Sequence, residues 1–110
     1  MEIYLIKAQE INLYKIGYSK NSKNRIKQLQ TGCPYQLELI NVYKAKKFPF
    51  KVEKIMHRSM HDYKKDESLN VLKGEWFDLN TEDILNFLNN CEKAENNLIF
   101  LHESGNPFIE

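Results

Sequence analysis

Glu53 and His57 stand four residues apart, one turn of helix, in a stretch whose other charges are Lys51, Lys54 and Arg58. A carboxylate is a hard oxygen ligand, and one carboxylate with waters and substrate oxygens makes an ordinary Mg²⁺ site. The same carboxylate is also a natural i, i+4 partner for His57. His57 can protonate a leaving group or position a water, or it can sit as a structural histidine against a sheet. Arg25 is one of two arginines among sixteen basic residues. Its planar, permanently charged fork suits phosphate oxygens. Tyr4 can hydrogen-bond an attacking water, or act as general base if nearby cations lower its pKa. Lys15 can stabilise a phosphate, depress the Tyr4 pKa, or be the base itself if desolvated. Together these residue types suit contact with a phosphate.

A zinc site is not expected. Glu53, His57 and His61 fall at i, i+4, i+8, but three ligands on one helix spread over about 12 Å of rise. Cys33 and Cys91 lie far apart and form no C-x-x-C, so two free thiols in a reducing compartment are expected. No apolar run approaches the ~18 residues of a membrane span. Met1 to Lys7 lacks a basic n-region and a small-residue cleavage site, so no secretory signal and an intracellular location are expected.

Charge is the next test of a phosphate chemistry. Sixteen Lys and Arg against fifteen Asp and Glu leave a formal charge of +1, which read alone argues against nucleic acid. The distribution reverses that reading. Residues 1–65 hold fourteen basic and five acidic residues, a balance of +9, and residues 66–110 hold two and ten, a balance of −8. Such asymmetry points to polyanion contact by the basic half. Tyr18, Ser19, Lys20, Lys23 and Lys27 are the group placed to touch a DNA backbone, or else form a solvated helix start.

The 110 residues have room for one core. Ile3 to Ile6 and Leu13 to Tyr18 read as two strands joined by a hairpin loop. Tyr14, Ile16 and Tyr18 share one face of the second, with Lys15 and Gly17 on the other. Asn21 or Ser22 can cap a helix over 23–30, which Thr31-Gly32-Cys33-Pro34 stops. Leu37 to Tyr43 is a third strand. Phe48-Pro49 opens a longer helix with Val52, Ile55, Met56, Ser59, Met60 and Tyr63 as its buried stripe. Glu75 to Leu79 reads as a short fourth strand with Trp76 and Phe77 in the core. Thr81 caps a last helix whose core face is Ile84, Leu85 and Leu88. The expected fold is α+β: a small antiparallel sheet of three to four strands flanked by helices. Residues 93–110 are a docked tail or an added edge strand.

Ile3-Tyr4, then Lys15-Ile16-Gly17, Arg25, Glu53 with His57 in E-x-x-x-H, and Gly74-Glu75-Trp76-Phe77 follow one another in order. This layout resembles the GIY-YIG nuclease superfamily over roughly residues 2–90. It is most similar to the phage and viral branch named after a phage T5 open reading frame, also called the meiotically up-regulated gene type. The first motif lacks its leading Gly, with Glu2 in that place, and Lys15 replaces one of the two active-site tyrosines. The resemblance implies a nuclease domain over 1–92 that hydrolyses DNA with Mg²⁺ or Mn²⁺. In it Tyr4, Lys15, Arg25, Glu53 and His57 would be the catalytic set, and Glu53 the metal ligand. Duplex or branched DNA would be the partner, in the cytoplasm or nucleus of a host and not at a membrane. One such site makes one cut, so a monomer and a weak dimer both stay open. The alternative is a nuclease-like module that binds nucleic acid without cutting it, and a third reading is a protein adaptor using the acidic half.

Overall fold

The computed structural model describes residues 1–60 and 76–105. The apolar run at the N-terminus forms β1, Glu2–Ala8, and pairs antiparallel with β2, Leu13–Ser19, from Glu2↔Ser19 to Ala8↔Leu13. The turn between them closes through Asn12, whose φ of 51° is left-handed. Asn is among the few non-glycine residues that take this conformation readily. β3, Leu37–Lys44, pairs antiparallel on the other side of β1. Its register slips between Leu5 and Ile6, a bulge that bends the strand. The strand order is β2-β1-β3.

β1 is therefore central, and it is covered on both faces. Ile3, Tyr4, Leu5 and Ile6 are all buried, which is why the strand reads as a continuous apolar run rather than an alternation. On one face Ile3, Leu5, Tyr14 and Ile16 pack with Val52, Met56, Phe77, Phe87, Cys91 and Leu98. On the other, Tyr4, Ile6, Ala8, Leu13 and Leu37 pack with Trp76 and with Ile26 and Leu29. The first face is covered by α2, Pro49–Ser59, and α4, Phe87–Glu103; the second by α1, Ser22–Gln30. α1 is capped by Asn21, whose side chain accepts from the Asn24 N–H, and past its C-cap Thr31 the chain turns at Gly32 with φ 82°.

Four expectations are corrected. Residues 76–79 do not add a fourth strand: Phe77 exchanges both backbone bonds with Tyr14 as an isolated bridge, and the sheet has three strands among the described residues. The cap of α3, Thr81–Leu85, is Asn80 rather than Thr81, in a reciprocal box with Asp83. Leu85 and Leu88 are exposed, Leu85 at 77%. The helix breaks at Asn86, and this shifts the phase so that Phe87, Cys91, Glu95 and Leu98 face inward instead. Residues 93–103 are not an edge strand but the continuation of α4, with Leu98 in the core.

Glu95 is a fully buried carboxylate. It accepts from the Tyr43 hydroxyl at 2.7 Å and from the backbone N–H groups of Lys46, Lys47 and Phe48 at 2.8, 3.1 and 2.9 Å. Phe48 has no side-chain cap of its own and Pro49 follows it. Glu95 thus supplies from α4 the anion that the start of α2 calls for. Burial alone would raise its pKa, but the bonds from Lys46, Phe48, Lys47 and Tyr43 hold it below the usual carboxylate value. Burial, reinforced by this anion, pushes the Cys91 thiol up to about 12, and both cysteines are free. Among the described residues no helix is long and apolar enough to cross a membrane.

Candidate functional site

Tyr4 and Gly17 are register partners across β1 and β2. Side chains on paired positions share a face, so the Tyr4 ring lies against position 17. A Cβ on Gly17 would overlap the Tyr4 hydroxyl and ring carbons. The absence of a side chain there lets the phenol cross β2 toward the outer edge of the sheet. Tyr4 is 3% exposed. Burial raises its pKa above the usual 10.0, the hydrogen bond and charge of Arg25 oppose this, and the Glu53 charge adds to the rise. Tyr4 on β1 therefore senses both Arg25 on α1 and Glu53 on α2. The direction corrects one expectation: nearby cations do not bring the phenol down, because burial outweighs Arg25.

Arg25 is exposed on the first turns of α1, with Nη1 donating to Gln28 Oε1 at 3.2 Å. The start of that helix is pinned by Glu2, whose Oε1 accepts from the Ser22 N–H at 2.9 Å. That bond, before all else, lowers the Glu2 pKa. Glu2 thus ties α1 to β1.

Glu53 and His57 are half-buried on α2, at 17% and 23% exposure, with Oε1 and Nε2 3.8 Å apart. The His57 Nε2 also meets the Ile16 carbonyl. Both neighbours are acceptors, so Nε2 carries the hydrogen and donates to Ile16. The ring packs edge-on against Phe77 at 5.3 Å. β2 is an edge strand, and its outer bonds at Tyr14 and Ile16 are taken by Phe77 and His57, which blocks sheet extension there.

Lys15 lies on the Tyr4 face, two residues from Gly17, with Nζ 5.8 Å from the Trp76 ring centroid. Trp76 and Phe77 are buried in opposite cores. Of the expected nucleic-acid group, Lys20, Lys23 and Lys27 are exposed. Ser19 Oγ is turned to the Asn21 backbone at the start of α1, and Tyr18 packs edge to face with Phe50 at 5.7 Å. His61 and Glu75 lie outside the described residues.

Among the described residues no three His, Cys, Asp or Glu side chains gather to hold a metal ion. The donor set beside Tyr4 and Arg25 is one carboxylate, Glu53, which fits a hard cation completed by waters and substrate oxygens. Phe50 carries no signal in the sequence, and Gly17 enters there only as part of the Lys15-Ile16-Gly17 motif. The signal for Gly17 was present in Lys15-Ile16-Gly17, since Gly opposite a tyrosine in a strand marks close approach.

A family model described as the T5orf172 domain matches residues 2–92. No curated protein matches the chain, and no solved structure does.

Proposed function

The chain belongs to the T5orf172 domain family, and from that premise we propose that it is a metal-dependent endonuclease of GIY-YIG type that hydrolyses phosphodiester bonds in DNA. The buried Tyr4 phenol, which feels the hydrogen bond and charge of Arg25 and the charge of Glu53, supports this reading.

Arg25 sets its guanidinium against the non-bridging phosphate oxygens and offsets the charge that builds on five-coordinate phosphorus. Glu53 is the residue that would hold Mg²⁺ or Mn²⁺, which when bound supplies further positive charge to the reacting phosphate. Tyr4 stays protonated at neutral pH, so its hydroxyl orients the attacking water or donates to an oxygen rather than removing a proton. Lys15 adds a cation on the same face. His57, with Nε2 on Ile16, positions α2 and its Glu53 against β2. The exposed Lys20, Lys23 and Lys27 meet the DNA backbone.

Purified protein with Mg²⁺ or Mn²⁺ is expected to nick duplex or branched DNA, and Glu53→Ala and Arg25→Ala are each expected to abolish nicking while the fold survives. Retained cutting in either variant removes that residue from the mechanism. A second reading, a nuclease-like module that binds but does not cut, is favoured by the raised Tyr4 pKa and the commitment of His57 Nε2 to backbone. It predicts salt-steep binding with no metal-dependent turnover.

A further inference from the structure

Phe50, in the first turn of α2, is 48% exposed, and Tyr18, near the end of β2, is 37% exposed. Their rings meet edge to face, with centroids 5.7 Å apart and planes at 88°. The Lys54 ammonium lies 4.7 Å from the Phe50 centroid. Neither ring belongs to either core. Two aromatics left partly bare and attended by a cation suit a flat π ligand with negative charge attached.

Helical spacing ties the pair to the site. Phe50, Glu53 and His57 follow at i, i+3, i+7 along α2, while Tyr18 and the His57-bound Ile16 lie two apart on β2. The platform therefore precedes Glu53 by three residues, about 5 Å of helical rise. Resting on the nuclease reading above, we infer that Tyr18 and Phe50 form a stacking platform for an unpaired nucleobase whose phosphate Arg25 contacts. In continuous duplex both faces of each base are covered by its neighbours, so only an unpaired or frayed base can stack here. Every base has a π face, so the platform selects strand state rather than sequence. Lys54 is exposed on a flexible stem. An arriving base displaces its ammonium from the ring, and the ammonium turns to the phosphate of the same nucleotide.

The test measures anisotropy of a labelled short oligothymidine and of a blunt duplex of equal length, in EDTA so that neither is cut. The wild-type protein is expected to hold the single strand more tightly. Phe50→Ala should weaken single-strand binding about tenfold, about 1.4 kcal/mol, and leave duplex binding within about twofold, and Tyr18→Ala should weaken single-strand binding by a similar factor. Phe50→Leu keeps an apolar side chain and should behave like Phe50→Ala, whereas Phe50→Trp should bind like wild type. Equal losses on both ligands, or wild-type affinity in Phe50→Leu, overturn the platform and leave the nuclease reading standing. A wild-type protein that binds neither ligand overturns the nucleic-acid reading and the platform with it.

Discussion

The Tyr4 phenol occupies the space that a side chain on Gly17 would fill. Gly17→Ala must push the ring off β2 or spread the two strands. The expected cost is about 1–3 kcal/mol of stability. Displacing a group by an ångström in a preorganised site costs about 100-fold in rate. Thermal melts and nicking assays read the two effects. The double variant Tyr4→Leu/Gly17→Ala should recover most of the stability and none of the activity.

Burial holds the Tyr4 pKa above 10.0 with Arg25 opposing, so the hydroxyl keeps its proton through the neutral range. The pH–rate profile should then show no limb belonging to this phenol between about pH 6 and 9. Tyr4→Phe should lower the rate about 100-fold without changing the shape of that profile. A limb that disappears in Tyr4→Phe would mark the phenol as a base after all.

Glu95 has a folded pKa below its ordinary 4.5. A depressed carboxylate stabilises the fold above its unfolded pKa, and that contribution is lost as pH falls through the folded value. Denaturant melts of the wild type should therefore weaken progressively below pH 4.5. Glu95→Gln should be less stable by about 2–4 kcal/mol at neutral pH, because buried donors lose an acceptor. Its stability should also change less with acid. Parallel curves for the two proteins would contradict the assignment.

Glu2 caps α1 through the Ser22 N–H. Glu2→Gly, which restores the Gly of the resembled motif, should cost about 1 kcal/mol by the scale of lost helix caps. Glu2→Gln keeps the acceptor oxygen and should retain most of that stability. Chemical denaturation of the three proteins decides it.

The sheet was legible because β1 carries Ile3 to Ile6 without a polar break and the turn residues fall between apolar runs. α1 was legible from Asn21 and Gly32, which act at its ends as local chemistry predicts. The inward face of α4 was not. Ile84, Leu85 and Leu88 look continuous in sequence, and nothing local announces the break at Asn86 that turns Phe87 and Cys91 inward. At the site, residue types pointed to Tyr4, Arg25 and Glu53, but the direction of the Tyr4 pKa follows from burial between layers, which no spacing rule contains. Glu95 was illegible for a related reason. It is one acid among ten in residues 66–110, and only the fold brings the Lys46 to Phe48 backbone to it.

That carboxylate lies three residues beyond the stretch by which the family is recognised, residues 2–92. The span that identifies kinship and the span that folds as a unit therefore have different lengths. A fragment ending at residue 92 would contain every side chain proposed for chemistry. It would lack the tether that sets where the helix bearing Glu53 begins. The helix bearing Glu53 is therefore set in place by a carboxylate that the family match does not include.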